Sequence, residues 1–201
     1  MNPLFGICIV LLWLFILRVL TKAELSAWRF LWGTLGLFAL LMIFVRPVIT
    51  EPLAKGVCAI AGVVGRLTNT FTTYFKYGIL YVPSDNGSIT LLVDMECSGV
   101  IEILAFLSLL IFFRVYSIGE RIIVGVGGFA YIMLCNALRI LLICLSVHFF
   151  GADAYYITHT FVGRIVFYAL SVLMYFYVFT KPQVIQMKVG NFTYGHNKKN
   201  S

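Results

Sequence analysis

Charged residues are scarce in this chain, and their scarcity excludes the ordinary soluble classes. Only 11% of the 201 residues are Asp, Glu, Lys or Arg, whereas 61% are hydrophobic and 16% are aromatic. Soluble domains average about 25% charged and about 45–50% apolar residues. The composition therefore predicts an integral membrane protein that forms a single membrane-embedded domain over residues 1–201.

Patterns that bind metals or exchange disulfides are also missing. The five cysteines include no C-x-x-C pair, and the three histidines include no H-x-x-x-H spacing. We therefore expect no disulfide framework, no zinc site and no cofactor. The net charge of +7 could serve a nucleic-acid partner, but a basic excess in a membrane protein usually lies in its cytoplasmic loops. No nucleic-acid partner is predicted.

Long apolar runs dominate what the sequence does contain. Five runs approach the roughly 20 residues that a helix needs to cross a bilayer, and they cover residues 4–20, 30–45, 97–113, 122–147 and 161–179. We expect the first run to stay as a membrane helix, because its basic residues follow it, whereas those of a signal peptide come first. A polar, basic tail covers residues 181–201.

The segment between the second and third runs has a different pattern. Apolar residues in 50–76 recur at alternating spacings of four and three, which predicts an amphipathic helix that lies on the membrane or enters it. Two short strands, 79–82 and 89–93, follow and are joined by an Asn-Gly turn. The predicted fold is an all-α polytopic membrane protein with about five transmembrane helices, an amphipathic helix and a short extracellular β-hairpin.

The distribution of Lys and Arg predicts the orientation. The end of the first run with the loop after it, the loop 114–121 and the tail carry nine basic residues, whereas the longer segment 46–96 carries four and the loop 148–160 none. Basic residues favour the cytoplasmic side. We therefore expect a multi-pass plasma-membrane protein with its amino terminus and hairpin outside and its basic tail in the cytoplasm.

This topology brings three reactive side chains to the outer side of the membrane. Cys97 begins the third run, Arg139 lies within the fourth, and His159 directly precedes the fifth. An imidazole can take the proton of a thiol that attacks a carbonyl, and a fixed cation can stabilise the charge that develops. An arginine within a membrane span is costly and is usually paired or functional. His148 is an alternative to His159, which we prefer because it abuts the span.

The motifs around these residues resemble those of a known family. Glu96-Cys97-Ser98-Gly99, followed by Val100-Ile101-Glu102, then Asn136-Ala137-Leu138-Arg139, and finally His159, are similar to the motifs of the exosortase/archaeosortase family of membrane-embedded transpeptidases. The resemblance covers roughly residues 48–180. The chain looks most like the short exosortase G type of Gram-positive bacteria.

This resemblance implies a cysteine peptidase or transpeptidase with catalytic residues Cys97, Arg139 and His159. Its substrate would be a secreted protein whose carboxy-terminal sorting signal is cleaved through a thioester at Cys97, and the product would pass to an acceptor outside the membrane. Relatives of this type are associated with exopolysaccharide and glycosyltransferase loci, so a glycosyltransferase is an implied partner alongside membrane lipid.

Six further residues are supporting candidates: Glu96, Ser98, Gly99, Glu102, Asn136 and Arg164. Glu102 either pairs with Arg139 or orients it. Arg164 either grips a substrate carboxylate or extends towards the membrane surface, and Asn136 is expected to satisfy hydrogen bonds between helices. The alternative function is a non-enzymatic membrane subunit that supports a glycosyltransferase or an exopolysaccharide export system, in which these residues only hold helices together.

Overall fold

A computed structural model describes residues 3–84, 88–93 and 97–185. Its helices are α1 Pro3–Lys22, α2 Ser26–Phe44, α3 Arg46–Thr68, α4 Val100–Phe112 and α5 Ile118–Phe150. A last helix, Ala154–Ile185, contains α6 Ala154–Ile157, a π-helical turn Thr158–Val162, α7 Gly163–Tyr175 and a second π-helical turn Phe176–Thr180. Three strands, β1 Thr72–Tyr74, β2 Ile79–Val82 and β3 Ile89–Leu92, lie between α3 and α4.

The predicted fold class is confirmed. Among the described residues, four helices are long and apolar enough to cross a membrane, namely α2, α3, α5 and the last helix. The apolar helix α4 has only 13 residues, which is about 20 Å at 1.5 Å per residue, whereas α5 has 33. Helix α5 therefore extends well beyond the start of α4. The predicted runs 4–20, 30–45, 122–147 and 161–179 fall on α1, α2, α5 and the last helix respectively.

Side-chain contacts show which helix ends lie together. The indole of Trp13 donates to the carbonyl of Trp32 (3.1 Å) and packs edge-on against Phe112 at the end of α4. At the same level, the hydroxyl of Tyr116 donates to the carbonyl of Val178 (2.5 Å). One end of the bundle, which we call the basic end, therefore collects the helix termini that carry Lys22, Arg114, Arg121 and Lys181.

The opposite end of the bundle carries the sheet. The strands are antiparallel in the order β1-β2-β3, with Leu80 opposite both Thr73 and Leu91. Leu80 and Val82 of the central strand are fully buried, and they share the core with Val57 of α3 and Val100 of α4. The sheet thus fills the space above the short helix α4.

The amphipathic helix is shorter than predicted. The sequence pattern extends to residue 76, but α3 ends at Thr68 because Asn69 adopts a left-handed conformation (φ 53°), which asparagine tolerates well. The chain then turns back, so that Phe71 packs on Gly65 and Thr73 on Gly62. The apolar residues at 71 and 74 therefore continue the helical spacing by coincidence, and the segment forms the unpredicted strand β1 and a 3-10 turn.

Helix α3 follows the sheet along its length. Ala54, in its first half, lines a cleft together with Gly78 and Val93, and its second half holds β1 through Gly62 and Gly65. The two strands predicted from the sequence are present, although β3 ends at Leu92 rather than at residue 93. Residues 85–87 of the predicted turn lie outside the described residues.

Candidate active site

Cys97 lies in a turn directly before α4. The predicted run 97–113 begins as a helix only at Val100, because Gly99 adopts a left-handed conformation (φ 73°). A side chain at Gly99 would also collide with the amide of Asn136, so glycine meets two local requirements at once. Cys97 is 4% exposed and Ser98 is fully buried. The turn therefore fixes the thiol at the positive end of the α4 dipole, where negative charge is favoured.

His159 comes from the start of the last helix and meets Cys97 directly. Its Nε2 atom lies 3.4 Å from the Sγ atom of Cys97, which is hydrogen-bond distance for sulfur. The ring stacks on that of Tyr155, one turn earlier, with centroids 5.2 Å apart and planes at 21°. His159 belongs to the π-helical turn Thr158–Val162, a distortion that is common at functional sites.

Asn136 and Arg139 enter the site from α5. Asn136 is 1% exposed, and its Nδ2 atom donates to the carbonyl of Ile132 (3.2 Å) while the amide packs against Gly99. Arg139, one turn further along, is 4% exposed and passes over Gly163, one turn beyond His159. Arg139 therefore lies one helical turn from Asn136, which packs against Gly99, and it contacts the last helix at Gly163, one turn from His159.

The other supporting candidates are less central. Glu102, which is half-buried, lies within electrostatic reach of Arg139. Arg164 is half-buried on the turn after His159. Glu96 lies outside the described residues.

His148, the alternative to His159, contacts the sheet at the end of α5. Its Nδ1 atom forms a hydrogen bond with the carbonyl of Pro83 (2.8 Å), which ties the end of α5 to the tip of β2. Of the two histidines that the sequence offered, His159 is the one in contact with Cys97.

Two contributors to the site were missed in the sequence. Tyr155 precedes His159 by four residues, the spacing at which side chains on one helical face meet, so the stack could have been anticipated. Gly163 gave no such signal, because its role depends on the approach of Arg139 from another helix.

The arrangement combines a thiol, an imidazole and a guanidinium in a largely buried setting. The imidazole is close enough to exchange a proton with the thiol, and a cation next to a buried site acts more strongly than it would in water. Within residues 3–84, 88–93 and 97–185, no group of three or more His, Cys, Asp or Glu side chains could hold a metal ion. The geometry suits nucleophilic attack by sulfur.

Comparison with known proteins identifies a family. The family model described as "Transmembrane exosortase (Exosortase_EpsH)" matches residues 2–177. This match includes the first two helices, which lie outside the region where the motifs suggested the resemblance. No curated protein and no solved structure matches the chain.

Proposed function

The chain belongs to the transmembrane exosortase family, and from this premise we propose that it is a membrane-embedded cysteine transpeptidase whose nucleophile is Cys97. The observation that carries the proposal is the 3.4 Å contact between the Cys97 Sγ atom and the His159 Nε2 atom. These residues are 62 positions apart in sequence and come from the turn before α4 and from the last helix. Packing alone gives no reason for a buried thiol to meet an imidazole there.

In the proposed reaction, the imidazole of His159 takes the proton of the Cys97 thiol as sulfur attacks the scissile carbonyl. The carbon–nitrogen bond then breaks, the leaving amine takes that proton from His159, and an acyl thioester remains on Cys97. An acceptor amine attacks the thioester carbonyl, gives up its proton, and releases the product together with the thiol. Water in place of the amine would give hydrolysis.

We assign Arg139 to charge stabilisation. A guanidinium carries a positive charge, so it can oppose the negative charge on sulfur or on the tetrahedral oxygen. The burial of Arg139 and its path over Gly163 support this role. Glu102 lies within electrostatic reach of this guanidinium, and both alternatives stated for it, pairing with Arg139 or orienting it, stay predictions.

We further propose that the active site faces the outside of the cell. The basic end of the bundle is expected in the cytoplasm. Asn136, which packs beside Gly99, lies about 22 Å from Arg121 along α5, measured at 1.5 Å per residue. The hydrocarbon core is about 30 Å thick, so Cys97 would lie in the outer leaflet beneath the sheet. Helix α3 would then lie along the outer surface, because both of its halves meet the sheet.

The substrate implied by this family is a secreted protein with a carboxy-terminal sorting signal. The test compares the carboxy-terminal peptides of membrane and secreted proteins between cells with the wild-type chain and cells with Cys97→Ala. We expect at least one protein to keep its carboxy-terminal segment in Cys97→Ala, in Arg139→Ala and in His159→Ala, and to lose it in the control Cys8→Ala. Cys8 is exposed, far along the sequence from the site, and has no proposed role.

The competing function is a non-enzymatic subunit of a glycosyltransferase or polysaccharide export system. It predicts that Cys97→Ser, which keeps the size of the side chain, supports polysaccharide production as well as the wild type does. Full activity of Cys97→Ser would therefore overturn the proposed catalytic function.

A further inference from the structure

Strand β3 forms an open edge of the sheet. The strand order β1-β2-β3 puts β1 and β3 at the two edges, and α3 packs against β1. In the part of the chain that the structure describes, no strand pairs with the outer side of β3. Edges of this kind carry backbone donors and acceptors that can pair with another chain.

The register identifies the backbone groups that face outward. The N–H of Val93 donates to the carbonyl of Gly78 (2.9 Å). Val93 and Gly78 therefore form a hydrogen-bonded pair of the antiparallel ladder, in which both backbone groups face the neighbouring strand. Hydrogen-bonded pairs alternate along an antiparallel ladder, and the pairs 91↔80 and 89↔82 therefore also face β2. The N–H and C=O groups of Thr90 and Leu92 must then face away from the sheet.

This edge is short, with four residues, but it lacks other features that usually protect an edge. The sequence of β3 is Ile-Thr-Leu-Leu, without the lysine, proline or bulge that commonly blocks edge pairing. Thr90 is exposed, and Leu92 is 67% exposed.

The chain direction connects this edge to the nucleophile. Leu92 precedes Cys97 by five residues, a distance of at most about 18 Å of extended chain. A cleft of about 360 Å³ opens beside the end of β3, between Leu92 and Val93 and the residues Ala54 and Lys55 of α3. Only an extended polypeptide offers donors and acceptors at the spacing of a strand, with side chains that could enter this cleft.

We propose that the acyl-donor peptide binds as a fourth strand on β3, held by the outward backbone groups of Thr90 and Leu92, and so presents its scissile bond to Cys97. This inference rests on the proposed function and specifies how the substrate is recognised. Recognition through the backbone would make binding depend weakly on the side chains of the strand and strongly on its N–H groups.

The first test removes one outward N–H group. Thr90→Pro deletes that donor, and proline is tolerated where the N–H faces away from the sheet. The matched control Thr90→Val keeps the donor and favours a strand. Processing is measured on the secreted protein that keeps its carboxy-terminal segment in Cys97→Ala cells. Alkylation of Cys97 by iodoacetamide reports separately whether the site is folded. We expect Thr90→Pro to lower processing at least tenfold with unchanged alkylation, and Thr90→Val to process normally.

The second test does not depend on proline. Benzoylphenylalanine at position 90, in a Cys97→Ala chain, should crosslink on illumination to the carboxy-terminal segment of the same secreted protein. The exposed position Leu25, between α1 and α2 at the basic end, should not. Crosslinking of position 90 to a second copy of this chain, or normal processing by Thr90→Pro, overturns the inference and leaves the proposed function intact. Absence of any protein whose processing depends on Cys97 overturns both.

Discussion

Gly163→Ala tests whether the position of Arg139 matters to the reaction. A methyl group at this position would lie 3.1 Å from the Cγ atom of Arg139 and 3.0 Å from the carbonyl oxygen of Thr158. Ordinary contacts of this kind are longer, at about 3.5–4.0 Å. Because the carbonyl belongs to the π-helical turn that carries His159, the arginine side chain or the turn itself must move by several tenths of an ångström.

Two effects of this substitution on stability oppose each other. Alanine favours a helix over glycine by about 1 kcal/mol, whereas overpacking of a buried site costs about 1–3 kcal/mol. Gly127→Ala is the matched control, since a methyl group there meets nothing within 4 Å and gains the helical preference alone. We therefore expect Gly163→Ala to be less stable than Gly127→Ala by about 1–3 kcal/mol, measured by thermal unfolding in detergent.

The effect on activity should be larger than the effect on stability. Misplacement of a catalytic group by about 1 Å can lower a rate by about 100-fold, so we expect Gly163→Ala to process the substrate at least tenfold more slowly. Gly127→Ala should process it at the wild-type rate. If the two variants process equally well and unfold at the same temperature, the contact with Gly163 does not position Arg139 for the reaction.

Three further predictions follow from the site and the bundle. Gly99→Ala forces a left-handed conformation on alanine, at a cost of about 1–2 kcal/mol, and displaces Asn136. Thermal unfolding should therefore occur at lower temperature, and Cys97 should lose its contact with His159. An unchanged unfolding temperature would contradict this. Tyr155→Leu removes the ring that stacks on His159, whereas Tyr155→Phe keeps it. The pH profile of Cys97 alkylation should therefore change only in Tyr155→Leu. Matching profiles in both variants would show that the ring of Tyr155 does not position His159. Tyr116→Phe removes the hydrogen bond to Val178 at the basic end and should lower the free energy of unfolding by about 0.5–1.5 kcal/mol without any loss of processing. A loss of processing would show that this end of the bundle affects the site.

The membrane class and the main elements could be predicted because they depend on composition and spacing. Apolar runs of membrane length have few alternatives in a lipid environment, where backbone groups must pair internally. The proximity of Cys97 and His159 also followed, since the predicted topology placed both at the same end. Chain order and membrane crossing therefore carried much of the information about the site.

Other features depended on contacts between distant segments. Strand β1 forms because Asn69 reverses the chain and α3 offers Gly62 and Gly65 as flat contact points, although the apolar spacing still resembles a helix. Likewise, the engagement of His148 with Pro83 became visible only when α5 proved to extend to the sheet. Local spacing carries no information about such partners.

The reactivity of Cys97 tests the central claim most directly. The rate of alkylation by iodoacetamide would be measured by mass spectrometry of the Cys97 peptide in isolated membranes, for the wild type, His159→Ala and the control His148→Gln. Because the thiolate is the reactive form, the account predicts that alkylation falls on the order of tenfold or more in His159→Ala and stays within about twofold of the wild type in His148→Gln. Equal rates in the wild type and His159→Ala would contradict it.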